Sequence, residues 1–178
     1  MFNHEIKTQT VFVLNFYYLC SDLTHKDTKN MENSLQTDEK YMRLAIIEAQ
    51  KAFDNDEVPV GAVIVAGGKV VGRGHNLVET LTDVTAHAEM QAITAAASAL
   101  GGKYLQDCTL YVTVEPCVMC AGALAWSQIG RIVYGAADPK RGYARFGKAL
   151  LHPRTEVISG VLATECEKLM TDFFAKLR

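Results

Sequence analysis

The chain has no surplus of charge. Lys and Arg total 18 against 20 Asp and Glu in 178 residues, a formal net charge of −2. No global field therefore announces a nucleic-acid or membrane-surface partner, and any basic contact surface has to be local. No run approaches the roughly 20 apolar residues that a membrane-spanning helix needs. The five cysteines are an odd number, and two of them form a C-x-x-C. That pattern favours metal or redox chemistry in a reducing cytoplasm over a secreted disulfide framework. There is no internal repeat, low-complexity tract or second domain. What is present, at 49% hydrophobic residues, suits one domain with a sizeable core.

The first thirty residues differ from the rest. Val11 to Cys20 is apolar, and Ser21 to Asn30 is polar and turn-like. Lys7 ahead of the apolar run would suit a signal peptide, but Asn15 interrupts the run and no A-x-A-like site follows. The bulky Tyr18 and Leu19 before Cys20 also argue against a lipoprotein signal. Residues 1–30 are therefore expected to be an accessory or mis-assigned extension, with initiation at Met31 and a single domain over 31–178.

Within that domain, helical and strand patterns alternate. Thr37-Asp38-Glu39 suits a helix start, and Met42, Ala45, Ile46, Ala49 and Phe53 then recur on one face. Val60 to Val65, Gly67-Gly68 and Lys69 to His75 form a hairpin signal. Gly61 inside the first strand marks a bulge or a close backbone approach. Asn76 ends the second strand and opens a polar loop to Asp83, where its plainest role is to form a turn. Thr85 is a suitable N-cap for a helix from Ala86 to Leu100, ended by Gly101-Gly102. Cys108 to Val114 is a strand, and Pro116 suits the first position of a helix from Cys117 to Ser127. That helix is apolar almost all round, so it must be buried centrally or at a subunit interface. Strands over Arg131–Ala136 and Thr155–Ile158 and a helix over Thr164–Lys176 complete an α/β sandwich around a mixed sheet. Cys166, Leu169, Met170, Phe173 and Leu177 share one side of the last helix.

The chemistry gathers in two short motifs. Cys117 and Cys120 are three residues apart, so they share one face of a helix's first turn, where free N–H groups and the dipole stabilise thiolates. A strand–C-x-x-C–helix unit is also how a thioredoxin-like redox site is built. A redox dithiol, however, needs no His87-Ala88-Glu89 at a second helix start, whereas a zinc site with two thiolates needs more ligands. H-x-E alone is weak, and on a regular helix its two side chains would diverge. The combination is the signal, because crossover helices place their N-termini at one sheet edge, where sites form in α/β folds. Three ligands, His87, Cys117 and Cys120, leave a fourth position for water, and H-x-E…P-C-x-x-C is the signature of zinc nucleobase deaminases, with the Glu as acid/base.

Over residues 38–174 the chain resembles bacterial tRNA-specific adenosine deaminases of the cytidine deaminase-like superfamily. The matching stretches include Asp56-Glu57-Val58-Pro59-Val60-Gly61, Thr109-Leu110-Tyr111-Val112-Thr113, Cys120-Ala121-Gly122-Ala123 and Asp172-Phe173-Phe174. The resemblance implies a three-layer α/β/α sandwich with a five-stranded mixed sheet, a cytoplasmic homodimer and one zinc ion per subunit. It further implies that adenosine becomes inosine at the wobble position of a tRNA anticodon. His87, Cys117 and Cys120 would hold the metal, Glu89 would shuttle protons and Asn76 would contact the base. Asp138, Lys140, Arg141, Arg145 and Phe174 would meet the RNA. The chain departs from the family in a shortened segment after Asp138, in the loop from Leu77 to Asp83, and at Val84, where proline is frequent.

Read from the residues, Lys140, Arg141, Arg145, Lys148 and Arg154 with Tyr143 and Phe146 between them suit backbone contact and stacking on a single-stranded loop. The same residues also suit a solvated loop. A deaminase of a free base, guanine or cytosine, is the alternative enzyme. A non-catalytic partner subunit with structural zinc is the alternative outside enzymes, and Glu89 speaks against it because such a protein has no use for a proton shuttle.

Overall fold

The structure is a computed structural model that describes residues 32–177. The extension expected over 1–30 lies outside them. The chain divides into two units, Met1–Thr37 and Asp38–Arg178. In the first, residues 32–37 are helical and the Thr37 hydroxyl donates to the Asn33 carbonyl at 2.8 Å. Thr37 is thus inside a running helix and is not its N-cap. In the second unit, helix α1 occupies residues 38–54.

Five strands follow, β1 (Gly61–Ala66), β2 (Lys69–His75), β3 (Cys108–Val114), β4 (Arg131–Ala136) and β5 (Glu156–Ser159), in the spatial order β2-β1-β3-β4-β5. β1 is antiparallel to β2 and β3, while β3, β4 and β5 are parallel. The helices are α2 (Val78–Leu81), α3 (Ala88–Leu100), α4 (Val118–Trp126) and α5 (Ala163–Lys176). The expected hairpin, crossovers and five-stranded mixed sheet are all present. The supposed polar loop to Asp83 holds one helical turn, α2. Helix α3 begins later than Thr85 suggests, because both the Thr85 N–H and its hydroxyl bind Asp83, leaving His87 at the N-cap. Likewise Cys117 caps α4, and Pro116 precedes the cap instead of opening the helix.

Each face of the sheet carries its own core. On one, Ala88, Ala92 and Ala96 of α3 and Ala121 and Leu124 of α4 pack on Ala62, Ile64, Leu110, Val112 and Ile132. On the other, Tyr41, Met42 and Ala45 of α1 and Cys166 of α5 pack on Val63, Val65, Tyr111 and Val133. The result is three layers. Glycines set the layer spacing at two places. A Cβ on Gly61 would lie 2.1 Å from the Ala45 carbonyl oxygen, and one on Gly74 would lie 2.3 Å from that of Ala88. Gly61 is therefore a close approach, and the bulge falls instead between Ile64 and Val65. The alanines at every fourth position of α3 complete this fit, since larger side chains would lift the helix off β2.

Helix α4 is buried on one side only in the single chain, which removes the central position and leaves the interface alternative open. Cys120, Ala121 and Leu124 face inward, whereas Val118, Met119 and Trp126 lie open in the single chain, Trp126 at 86% exposure. Leu177 is also exposed, while Cys166 and Phe173 anchor α5. At one end of the sheet, Asp38 takes two bonds of 2.8 Å from the Arg131 guanidinium and one of 2.9 Å from the Tyr111 hydroxyl. This bidentate pair ties α1 to β3 and β4. Among the described residues no helix is long and apolar enough to cross a membrane.

Replacing Gly74 by Ala is expected to lower unfolding stability by ~1–3 kcal/mol in urea titrations, because the added methyl meets helix backbone that has no room to yield. Gly102→Ala, where the added carbon meets nothing within 4 Å, is the control and should leave stability unchanged.

Candidate active site

Helices α3 and α4 both start at the edge of the sheet where β2 and β3 end. His87, as N-cap of α3, and Cys117, as N-cap of α4, consequently face one another, with Cys120 one turn into α4. His87 Nδ1 lies 3.5 Å from Cys120 Sγ and 3.7 Å from Cys117 Sγ, and the three donor atoms all fall within 4.8 Å of one another. Zinc–sulfur and zinc–nitrogen bonds of about 2.3 and 2.0 Å in a tetrahedron separate the nitrogen from each sulfur by about 3.5 Å. The donor set therefore has both the spacing and the softness for a metal of the zinc type, and it can hold a metal. The convergence that spacing alone left open arises because His87 is a cap residue in extended conformation, outside the helical repeat.

The site's electrostatics suit a cation. The Cys120 thiol, and after it the His87 imidazole, bring Cys117 down to about 4 against the opposing effect of burial. The same contact with Cys117, together with burial, pushes Cys120 up. The hydrogen bond to Cys117 raises His87 despite its partial burial. A divalent cation is the partner that allows both sulfurs to be thiolates at once. Glu89 is 3% exposed, and burial raises its carboxyl to about 7.

These residues open into a cleft of about 1150 Å³. His87, Glu89 and Cys117 line it together with Asn76, Asp138, Lys140, Arg141 and Phe174. Arg145 is not among the lining residues; it donates to the Lys140 carbonyl and stacks its guanidinium 6.0 Å from the Phe146 ring centroid. Tyr143 is buried at 3% exposure and joins the core, so it is not free to stack on a ligand, whereas Phe146 and Phe174 are exposed. The Asp138 side chain caps its own turn, accepting from the N–H groups of Lys140 and Arg141 at 2.9 and 3.0 Å.

Two carboxylates that sequence reasoning did not single out frame this cleft. Glu57 has no exposed surface and accepts from Asn76 Nδ2 at 3.1 Å, Glu79 N at 3.2 Å and Thr80 N at 2.7 Å. It fixes both the Asn76 amide and the first turn of α2. Burial pushes its carboxyl up, but the N–H groups of Thr80 and Glu79 together outweigh that and hold it below its ordinary value. Glu115 accepts from Asp138 N at 3.0 Å and Ala144 N at 2.9 Å, and Gly142 leaves room for its carboxylate. The loop carrying Lys140 and Arg141 is thereby clamped beside Cys117, where Tyr143 N also donates to the Pro116 carbonyl at 3.0 Å. For Glu115 the available signal was an acid directly after an apolar strand; Glu57, which follows Asp54-Asn55-Asp56, carried none.

With this geometry in hand, similarity is informative. Residues 36–178 match the model of the MafB19-like deaminases. The chain is 48% identical over 146 residues to a tRNA-specific adenosine deaminase of Bacillus subtilis, covering 79% of this chain and 91% of that one. It is 43% identical over 143 residues to the one from Agrobacterium fabrum, covering 78% and 94%. A solved structure from work on A-to-I editing by tRNA:A34 deaminases at the wobble position superposes with a TM-score of 0.69 at 43% identity, covering 73% of this chain and 98% of the other.

Glu57→Gln should lower stability at neutral pH by ~1–3 kcal/mol, since an amide opposes N–H groups that need an acceptor. The folded value of Glu57 is depressed, so its contribution is complete above the unfolded value of about 4.3 and fades as pH falls through the folded one. The stability gap between the two proteins, followed by thermal melts from pH 7 down to pH 3, should therefore close on the acid side.

Proposed function

Because the chain belongs to the deaminase family, among the tRNA-specific adenosine deaminases, we propose that it converts adenosine to inosine at the wobble position of a tRNA anticodon by zinc-dependent hydrolysis. The observation that carries this reading is the meeting of His87, Cys117 and Cys120 beside the buried Glu89 at the floor of a wide cleft. Held by those three donors, zinc would supply a Lewis acid that makes water nucleophilic near neutral pH.

The chain's own groups do the rest. Glu89, whose carboxyl burial raises, takes a proton from the attacking water and gives it to the purine ring; it then takes the proton of the hydroxyl now on the ring carbon and passes it to the departing amine. The base must leave its loop to reach this depth. Asn76 meets it with a preset amide: Glu57 is acceptor-only when ionised, so Nδ2 faces it and Oδ1 is left for the base. Lys140 and Arg141 neutralise phosphates at the rim, with Arg145 bracing their loop and adding charge behind it. Phe174 gives a face on which a neighbouring base stacks. Asp138 acts by shaping the turn that presents Lys140 and Arg141. A reducing, cytoplasmic setting would keep both thiols available for the metal.

The protein is further proposed to be a homodimer through the open face of α4. Val118, Met119 and Trp126 are exposed there, and nothing within 4 Å would meet a Cβ on Gly122, so a second helix can come close.

Three measurements test these readings. Metal analysis should find one zinc per chain. Glu89→Ala should keep that zinc while deamination of an anticodon stem-loop with a wobble adenosine falls by ~10²–10⁴; full activity in the zinc-loaded variant would contradict the role of Glu89, and wild-type turnover of free guanine or cytosine alone would contradict the substrate. Trp126, the one tryptophan in the chain, reports on association: its emission should shift to the red as micromolar protein is diluted to nanomolar. An unchanged spectrum with a monomeric mass throughout would exclude the α4 interface.

A further inference from the structure

A second groove, of about 510 Å³, lies next to the cleft along β2, the edge strand of the sheet among the described residues. Leu77 lines it, while its chain neighbours Asn76 and Val78 line the cleft. Three elements contribute donors. Lys51 comes from α1, Arg73 and His75 from β2, and Gln91, Thr94 and Ser98 from α3.

At its base sits one acid, Glu48, only 3% exposed. Lys51 Nζ lies 3.0 Å from it, His75 Nδ1 3.3 Å and Arg73 Nη1 3.6 Å. One carboxylate cannot saturate these bases. Even with His75 neutral, two cations face one anion, and a guanidinium carries five N–H groups of which Glu48 engages few. Lys51 and Arg73 keep 52% and 46% of their side-chain surface open, so their heads remain available to a ligand. Glu48 holds the bases at the edge of β2 instead of letting them splay into solvent. Gln91, Thr94 and Ser98 form the opposite wall with an amide and two hydroxyls, which bond phosphate oxygens well. On a chain of net charge −2 this is a local positive site, and it adjoins the segment that presents Asn76.

We propose that this groove is a phosphate subsite for the tRNA backbone, which seats the strand flanking the base inserted in the cleft. The inference rests on the reading of the cleft as a tRNA deaminase site. A strand whose base enters the cleft must pass over a wall on either side of it. Lys140 and Arg141 serve one wall, and Lys51, Arg73 and His75 serve the other, across the Asn76–Val78 segment. Contacts of this kind are independent of sequence and act on affinity, leaving the chemical step alone.

The test compares wild type with Arg73→Glu, and with Arg73→Gln and Lys51→Gln in case the added acid beside Glu48 loosens the edge strand. Lys103→Glu, beyond the far end of α3, is the control. Each is assayed on a wobble-adenosine anticodon stem-loop and with the free nucleoside adenosine, which has no phosphate, as substrate or as competitor of the stem-loop. Arg73→Glu should raise KM for the stem-loop roughly tenfold, as removal of one charge-assisted hydrogen bond to phosphate would, with kcat within about twofold. Its salt dependence of binding should flatten by ~0.7–0.9 for each phosphate that is no longer neutralised. The constants for free adenosine and the Lys103→Glu control should be unaffected. An unchanged stem-loop KM and salt slope in all three groove variants would overturn the subsite, and so would an equal rise for free adenosine, which would mean that the groove acts through the cleft. Absence of stem-loop turnover in wild type would instead remove the tRNA reading, and the subsite with it.

Discussion

Everything in this molecule depends on two helices beginning at the same place. Because β2 and β3 run in the same direction, α3 and α4 start side by side at one sheet edge. Their cap residues, His87 and Cys117, carry the donors, and Cys120 follows one turn later. Cap residues have extended backbone and project beyond the helix, so three side chains from distant parts of the chain meet within 4.8 Å. Free N–H groups at both helix starts lower the cost of gathering thiolates there. The arrangement can hold a metal on one side and leave the other side to the cleft.

Holding that meeting point steady requires a rigid frame, and the chain builds it from small residues and buried acids. Gly74 opposite Ala88 lets α3 lie directly on β2, which sets the depth at which His87 emerges. Glu115 and Glu57 then fasten the two walls of the cleft, one through Asp138 and Ala144, the other through Asn76 and α2. Each is a buried carboxylate satisfied by N–H groups, a costly device unless every partner is present. Both are used where a loop must keep one shape beside the cleft.

Much of this was legible in the sequence, and the misses have physical causes. Strands and crossovers followed from apolar runs, turn glycines and periodicity, and the four motif residues pointed to the deaminase family to which the chain belongs. Helix starts were less legible. Thr37 and Thr85 are good caps by type, yet Thr37 sits inside a running helix and Thr85 is bound to Asp83, and only tertiary context decides such competitions. Tyr143 resembled a stacking residue because it lies among bases, but the loop folds it into the core. Composition left helix α4 either central or at a subunit interface, because it does not distinguish a core from a face left open in the single chain. The roles of Glu57 and Glu115 were invisible because a carboxylate's backbone partners cannot be read from its neighbours in sequence.

The central claim is that His87, Cys117 and Cys120 alone hold the metal, so that one position stays open for chemistry. X-ray absorption spectroscopy of the protein as isolated tests it most directly. The account predicts zinc bound by two sulfurs at about 2.3 Å and by two lighter atoms at about 2.0 Å, one imidazole nitrogen and one oxygen. A shell of four protein ligands, or three sulfurs, would make the site structural and closed, and would contradict it.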